Sequence, residues 1–384
     1  MDFTETDELL MLREAVAKVA GGFGHEYWLR ASREDRRPTE LWRAIGELGF
    51  IGVNLSEEHG GGGQGLTELA VVAEELAAAG CPLLLLVVSP AIVGSVIDRF
   101  GTDDQRARWL PGVASGESIV AFAITEPDAG SNSHQLSTSA VRDGDEYRLN
   151  GTKYYISGVD EAEAILVVAK TGVDEATGRG RLSLFVVPTD AAGLTADLLP
   201  VEITAPEKQF TVFFDDVRVP RANLIGTEGD GLRHLFFGLN PERIMSAATS
   251  AGIARYALTK AADYARERRV WGVPIGTHQG IAHPLAESKI DAELAKLMLQ
   301  KACWRYDQGH DAGEAANIAK YANAEASLRA LDQAIQTHGG NGLATEYGLA
   351  TMWGFTRLLR TAPVSREMIL NFVGQHSLGL PKSY

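Results

Sequence analysis

The chain has 384 residues, of which 45% are hydrophobic, and it carries 36 basic against 50 acidic residues, a formal net charge of −14. This length and apolar content predict two or three domains with large buried cores, and they exclude a disordered, collagen-like or disulfide-stapled chain. The acidic balance argues against nucleic acid or an anionic membrane as main partner, because both need basic patches. Small molecules and other proteins remain as partners.

Residues 1–118 have the pattern of a helical domain. Thr6 or Asp7 can cap a first helix, Thr67 can cap a helix over the run ELAVVAEELAAA, and Thr102 can cap a third. The apolar stretch that follows the second of these helices is shorter than the ~20 residues of a spanning helix, so it is expected to be buried core.

Residues 119–228 contain short β-rich runs separated by Gly, Asp, Asn and Pro: IVAFAIT, EYRLN, KYYIS, AILVVAK, LSLFVV and FTVFF. The pair Asn150-Gly151 stands between two of them and is typical of a hairpin turn. We therefore expect a β domain between two helical ones.

Residues 229–384 return to a helical pattern. Asn240 and Pro241 suit the N-cap and first residue of a helix with small residues every three or four positions. Two long helices are expected over 281–308 and 312–337, and a last one over 364–372. Short connections between them predict a helical bundle.

Three loops could contact an anion or a flat cofactor, although each also has a purely structural interpretation. The segment AITEPDAGS (123–131) is either a ligand loop or a turn, and HGGNG (338–342) is either a helix stop or a close approach to a ligand. The cluster RERR (266–269) suits a helix C-terminus or a phosphate. The G-x-G-x-x-G at residues 60–65 lacks the context of a dinucleotide fingerprint.

Several expectations concern what the chain lacks. Cys81 and Cys303 show no CxxC spacing and are expected to be reduced core residues, and the scattered histidines predict no metal site. P-loop and nucleophile-elbow patterns are missing, which excludes those enzyme classes. The acidic N-terminus MDFTETDELL does not resemble a signal peptide, so a cytoplasmic location without a membrane span is expected.

Six segments in order resemble the acyl-CoA dehydrogenase family, flavoproteins of fatty acid metabolism that oxidise acyl-CoA thioesters to 2-enoyl-CoA. They are FGTDDQRARWLPGVASGE (100–117), AFAITEPDAGSN (121–132), GDEYRLNGTKYYISG (144–158), FFDDVRVPRANLIGTEGDG (213–231), ERRVWGVPIGTHQGIAHPLAE (267–287) and QTHGGNGLATEYG (336–348). The resemblance implies an α+β multidomain fold: an N-terminal helical domain (1–118), a middle β-barrel or sandwich domain (119–228) and a C-terminal four-helix bundle (229–384). The β domain and the bundle would cover the two sides of an FAD.

The resemblance also implies roles for single residues. Positions that match FAD contacts within the subunit are Phe122, Ile124, Thr125, Tyr155, Ser157 and Ser365, with Tyr155 standing where a tryptophan is common. Positions that match FAD contacts from a neighbouring subunit, and so imply an obligate oligomer, are Arg268, Trp271, Gln279, Gln336 and Gly340. Ser131 and Arg243 match positions near CoA, and Asn240 stands where many relatives have Asp.

The catalytic base departs from the common pattern. TAPVSREMI (361–369) aligns with the motif YEGTSEIQ and places Pro363 on its glutamate, yet the α-proton of a thioester must leave to a carboxylate as hydride goes to flavin N5. Glu242, directly before Arg243, matches the base position of isovaleryl-CoA and long-chain dehydrogenases. The alternatives are that Glu242 only complements a helix dipole, which would also lower its basicity, or that Glu367 is the base. Glu126 is expected to organise its loop.

These observations predict an FAD-dependent homotetramer or homodimer that dehydrogenates an acyl-CoA and passes electrons to an electron-transfer flavoprotein. A non-catalytic or hetero-oligomeric subunit that has lost the base is the alternative, and a flavin oxidase or monooxygenase on the same fold is a third. Acyl chain length and branching are left open.

Overall fold

The structure is a computed structural model that describes residues 4–382, except for the side chains of His134 and Phe236. The N-terminal region is helical: α1 (Asp7–Arg33), α2 (Thr39–Glu47), α3 (Leu66–Ala78), α4 (Leu84–Leu86), a π-helical stretch (Val87–Gly94), α5 (Ser95–Phe100) and α6 (Asp103–Ser115). Thr6 caps α1 by accepting a hydrogen bond from the Leu9 amide, and Thr102 caps α6, as the sequence predicts.

The middle region is a β-sheet. Its strands are β1 (Val120–Ala123), β2 (Ser139–Asp143), β3 (Glu146–Ser157), β4 (Ala164–Val173), β5 (Gly180–Pro188), β6 (Leu194–Leu198), β7 (Gln209–Pro220) and β8 (Leu224–Ile225). They form an eight-stranded sheet in the order β6-β7-β3-β2-β4-β5-β8, and β1 pairs in parallel with β4. The remaining neighbouring pairs are antiparallel, apart from β2 and β4.

The C-terminal region is again helical. It contains α7 (Gly231–Glu267), a small hairpin of β9 (Arg269–Val270) and β10 (Val273–Pro274), α8 (Gln279–Asp307), α9 (Gly313–His338), α10 (Trp353–Thr361) and α11 (Arg366–Phe372). The long helices α7, α8 and α9 pack against one another, and α7 also packs on α3. The fold class predicted from the sequence is therefore confirmed, while α10 was not predicted.

Asn150-Gly151 is not a hairpin turn, contrary to the prediction. Both residues lie inside β3, at a bulge where the pairing with β7 shifts by one residue. The Asn150 side chain accepts a hydrogen bond from the Asp216 amide (2.9 Å), and a Cβ on Gly151 would collide with Thr138. The hairpin between β2 and β3 turns instead at residues 144–145, where Gly144 has φ +64°.

Two predicted helix starts are also wrong. Asn240 and Pro241 lie inside α7, which begins nine residues earlier at Gly231, so Asn240 is no N-cap. At the start of α3 the cap comes from another helix: the carboxylate of Asp307, the last residue of α8, accepts the Leu66 amide (2.7 Å) and the Thr67 amide (3.0 Å). A distant side chain replaces the predicted Thr67 cap.

A buried ionic cluster joins the two helical regions. Glu74 and Glu75 on α3 face inward and pair with Arg13 on α1 and Arg255 on α7. Lys296 on α8 also donates to Glu74 (3.0 Å). Burial by itself would raise the pKa of Glu74, but the three cations outweigh it and hold that pKa below its ordinary value. The Glu74 carboxylate therefore stays ionised inside the helical core.

The continuous helix over residues 84–100 connects the sheet to α7. It packs against β1 on one side and α7 on the other. Its buried Ser89 hydroxyl accepts a hydrogen bond from the Val120 amide at the start of β1 (3.1 Å). This helix is the apolar stretch that the sequence assigns to the core, and within residues 4–382 no helix is long and apolar enough to cross a membrane.

Helix α7 approaches α3 so closely that only glycine fits at the crossing. A Cβ on Gly252 would lie 2.6 Å from the Cβ of Ala77 and even closer to the Glu74 carbonyl oxygen. We expect Gly252→Ala to destabilise the protein by about 1–3 kcal/mol through overpacking. Urea unfolding measures this, with Gly22→Ala on α1 as matched control, because nothing lies within 4 Å of its Cβ. Equal stability of the two variants would contradict the close packing.

Candidate active site

The residues predicted to face a flavin within the subunit lie where β1 leaves the sheet. Phe122 is the third residue of β1 and is buried, while Ile124 and Thr125 directly after the strand are half-buried. The Thr125 carbonyl accepts the Tyr154 amide (2.8 Å), which ties the end of β1 to β3. The structure thus brings these residues next to the second predicted group, on β3.

Tyr155 and Ser157 lie at an irregularity of β3. Pairing with β7 shifts between Lys153 and Ile156, and Tyr155 adopts a left-handed conformation with φ +57°, which costs of order 1–3 kcal/mol for a non-glycine residue. This bulge leaves the Tyr155 ring 54% exposed, and Ser157 donates a hydrogen bond to the Gln209 side chain (2.9 Å). A planar ligand can therefore pack on Tyr155.

A buried ion pair holds the TEPDAG loop beside these residues. Glu126 accepts hydrogen bonds from the Ser137 amide (2.6 Å), the Ser137 hydroxyl (2.7 Å), the Thr138 amide (3.0 Å) and the Lys153 ammonium (2.9 Å). Lys153 also donates to the Ile124 carbonyl (2.9 Å). Burial opposes ionisation of Glu126, but Lys153 and the hydrogen bonds lower its pKa to about 2. Glu126 is a structural anchor, as expected from the sequence.

Glu242 lies on α7 in a different environment. It is half-buried, and it makes no hydrogen bond and no ion pair with any residue among those the structure describes. Burial raises the pKa of Glu242 to about 7, although the charges of Arg243 and Lys320 oppose the rise. Because Gly231 begins the helix, Glu242 lies about three turns inside it, where the helix dipole no longer acts. The dipole interpretation of Glu242 is therefore wrong.

The residues predicted near CoA are only partly together. Asn240 and Arg243 are neighbours on α7: Nη1 of Arg243 donates to the Asn240 Oδ1 (3.2 Å) and to the Leu239 carbonyl (3.2 Å). The Arg243 side chain is buried, and its Nε is unpaired within the described part of the chain. Ser131 is exposed beyond the end of β1. Arg243 thus keeps a free donor for an anionic group.

The segment around Pro363 connects α10 to α11. Ser365, predicted to contact FAD, is the N-cap of α11 and accepts a hydrogen bond from the Met368 amide (3.3 Å). Glu367, the rival base, is 72% exposed and lies 3.6 Å from Arg366. Its carboxylate faces solvent rather than α7.

Lys320, which the sequence analysis did not single out, holds this segment in place. It lies on α9 and is 1% exposed, and its ammonium donates to the carbonyls of Val364 (2.5 Å) and Arg360 (3.2 Å). The available signal was weak: Lys320 falls on the same helical face as Ala316, Ala319 and Asn323, which are small or neutral residues.

The residues predicted to serve a neighbouring subunit form a separate group. Arg268, Trp271, Gln279, Gln336 and Gly340 all have exposed side chains or backbone, and Trp271 reaches 88%. They lie at the end of α7, in the β9–β10 hairpin, at the start of α8 and at the end of α9.

Within the RERR cluster the described part of the chain leaves only one guanidinium without a partner. Arg266 pairs with Asp263, and Arg269 donates to the Gly272 carbonyl (3.3 Å), whereas Arg268 has neither a side-chain hydrogen bond nor an ion pair. Nearby, the buried Nε2 of His278 also has no partner among the described residues. The free guanidinium of Arg268 fits the diphosphate of a flavin dinucleotide.

The exposed group at the end of α7 lies far from Glu242 along the same helix. Glu242 and Arg268 are separated by 26 positions of α7, or about 39 Å at 1.5 Å per residue. Arg268 is therefore too far along the helix to lie beside Glu242 of the same protomer.

The two cysteines, Cys81 and Cys303, are buried and free. In residues 4–382 no group of three or more His, Cys, Asp or Glu side chains could hold a metal ion.

Comparison with known proteins identifies the family. Models of the acyl-CoA dehydrogenase N-terminal, middle and C-terminal domains match residues 6–117, 121–217 and 229–378. The chain is 58% identical, over 385 aligned residues, to the acyl-CoA dehydrogenase fadE12 of Mycobacterium bovis, and the match covers 100% of this chain and 99% of that protein.

Solved structures support the same family assignment. The chain superposes on a glutaryl-coenzyme A dehydrogenase in complex with glutaryl-CoA with a TM-score of 0.93 and 31% identity, covering 100% of this chain and 98% of the other. It superposes on the FAD complex of PigA with a TM-score of 0.92 and 26% identity, covering 99% and 100%.

The Glu126–Lys153 pair gives a stability prediction. Lys153→Met leaves a buried carboxylate without its cation, so we expect a loss of about 3–5 kcal/mol in the free energy of unfolding. Lys289→Met, which breaks the exposed Lys289–Glu293 pair, should cost less than about 1 kcal/mol. Urea unfolding compares the two, and a Lys153→Met loss no larger than the control would contradict the anchoring role.

Proposed function

The chain belongs to the acyl-CoA dehydrogenase family, and we propose that it dehydrogenates an acyl-CoA thioester to the 2-enoyl-CoA with Glu242 as the base. FAD is the cofactor, and when bound it accepts the hydride from the β-carbon. Glu242 takes the α-proton, because the α-proton of a thioester is too weakly acidic to leave to water near neutral pH. The observation that carries this proposal is a carboxylate on α7 that has no hydrogen-bond or ion-pair partner among the described residues.

The environment of Glu242 supports a role as base. A base must be largely ionised at working pH and yet accept a proton readily, which places the favourable pKa near neutrality. Burial raises the pKa of Glu242 to about 7, and Arg243 and Lys320 limit the rise. Pro363 offers no carboxylate, and Glu367 is exposed. A non-catalytic subunit would need no such unpaired buried carboxylate.

We propose the remaining site residues in two sets. Phe122, Ile124, Thr125, Tyr155, Ser157 and Ser365 hold the flavin within the subunit, and Ser131, Asn240 and Arg243 bind the CoA part of the substrate. The unpaired Nε of Arg243 supports this, since a buried guanidinium with a free donor suits a phosphate oxygen. We also propose the domain division 1–118, 119–228 and 229–384.

We propose that a second copy completes each site through Arg268, Trp271, Gln279, Gln336 and Gly340. The exposed side chains of this group and the unpaired guanidinium of Arg268 support this. An apolar stripe on α8 supports assembly as well: Ile290, Leu294 and Leu297 share one face and are 58%, 62% and 45% exposed. A homotetramer or homodimer is the proposed state, and an electron-transfer flavoprotein is the proposed electron acceptor.

The base assignment is tested by mixing enzyme anaerobically with a panel of acyl-CoAs and following flavin absorbance. We expect bleaching in the wild type and a rate about 10²- to 10⁴-fold lower in Glu242→Gln. Since Glu242 must lose its proton to act, the wild-type rate should rise with pH through about 7. Glu367→Gln is the matched control and should behave as wild type.

Three results would contradict this assignment. Bleaching that survives in Glu242→Gln excludes Glu242 as base. No bleaching across the panel in the wild type favours the non-catalytic subunit, and rapid reoxidation of the reduced protein by oxygen favours an oxidase or monooxygenase.

The shared site is tested with Arg268→Met. Loss of a charged hydrogen bond, worth about 1.5–3 kcal/mol, should weaken FAD binding about 10- to 100-fold. Arg269→Met is the control, because Arg269 already donates to Gly272. Co-assembly of Arg268→Met with Glu242→Gln should restore activity, since some mixed sites then combine an intact base with an intact arginine. Failure to restore it would place both residues in one subunit's site.

A further inference from the structure

Lys320 is a buried cation without an acidic partner at bonding distance. Its side chain is 1% exposed, and no carboxylate of the described residues lies within 4 Å of its ammonium. Lys153, the other fully buried lysine of the site region, pairs directly with Glu126. Burying an ammonium without a counter-ion is costly, and a Met of similar length would fill the space without that cost. A lysine here therefore needs a reason beyond packing.

Lys320 first of all fixes the backbone between α10 and α11. Its ammonium donates to the Arg360 carbonyl in the last turn of α10 and to the Val364 carbonyl just before α11. These two bonds clamp residues 361–364 from the α9 side. The clamped segment carries Pro363 and leads into Ser365, which the proposed function assigns to the flavin.

The second consequence is electrostatic. Charged groups on α7, α9 and α11 act on Lys320: Arg243 and Glu242 on α7, Glu325 on α9 and Glu367 on α11. Glu325 is already paired with Arg360 and Arg366, and Glu367 is exposed. Burial lowers the pKa of Lys320 to about 8, so its ammonium is still charged near neutral pH. Arg243 repels this charge, and among the carboxylates the unpaired Glu242 is the one that it stabilises most.

We propose that Lys320 is a positioning residue of the reaction, which fixes segment 361–364 against the bundle and keeps a positive charge beside Glu242. This inference rests on the proposed role of Glu242. The clamp fixes the backbone that leads into Ser365. The charge favours the ionised carboxylate that must accept the proton.

The two parts of the proposal are separated by three variants. Lys320→Met removes both the clamp and the charge, Lys320→Gln keeps a donor for the carbonyls without the charge, and Lys320→Arg keeps both. Lys18→Met, at an exposed position of α1, is the control for losing a lysine. Hydrogen exchange of peptides covering 361–370 measures whether the segment is held in place. The pH midpoint of flavin reduction by an acyl-CoA measures the effect of the Lys320 charge on Glu242.

We expect exchange over 361–370 to accelerate at least about tenfold in Lys320→Met, and to stay near wild type in Lys320→Gln, Lys320→Arg and Lys18→Met. The pH midpoint should rise by about one unit in both Lys320→Met and Lys320→Gln, because loss of a nearby cation disfavours the carboxylate. If Lys320→Met does not fold, the pH midpoint in Lys320→Gln by itself tests whether the Lys320 charge favours the ionised form of Glu242.

An unchanged hydrogen-exchange rate in Lys320→Met would contradict the claim that Lys320 holds segment 361–364. An unchanged pH midpoint in Lys320→Gln would contradict the claim that its charge acts on Glu242. Both failures leave the proposed function intact. That function fails on a different result, namely flavin reduction that is insensitive to Glu242→Gln. The exchange measurement needs no turnover, so it tests the clamp even in that case.

Discussion

Glu126 is buried and Glu242 is half-buried, and the partners available to each carboxylate decide what it can do. Glu126 accepts four hydrogen bonds, one of them from Lys153, so its ionised form is stabilised and its pKa falls to about 2. Glu242 has no bonded partner within residues 4–382, and burial raises its pKa to about 7. The hydrogen bonds to Glu126 hold its loop rigid. The absence of such partners leaves Glu242 able to accept a proton, which makes it a candidate base.

Helix α7 places that carboxylate relative to the rest of the molecule. Its middle packs on α3 at Gly252, and the ionic cluster of Glu74 and Glu75 ties the same two helices through Arg255. The helix over residues 84–100 lies between α7 and β1. The position of Glu242 relative to the sheet therefore depends on contacts among all three regions of the chain.

The sequence predicted the order of helical and β regions well, because long periodic patterns reflect burial that neighbours cannot easily change. Predictions from two or three residues were wrong where a distant side chain or strand supplies the contact instead. Asp307 caps α3 in place of Thr67, and Asn150-Gly151 forms a bulge against β7. Asn240-Pro241 imitates a helix start inside α7. The site residues came from family resemblance, and Lys320 escaped notice because a lysine in a helix is normally a surface residue.

The length of α7 has a thermodynamic consequence. If the flavin contacts the sheet of one copy and Arg268 of another, cofactor binding and subunit association share their free energy and stabilise each other reciprocally. Dilution would then release FAD as well as separate the subunits, and added FAD would draw subunits together. At a given FAD concentration, the fraction of sites that hold FAD would then depend on the concentration of the protein. A site built within one protomer has no such dependence.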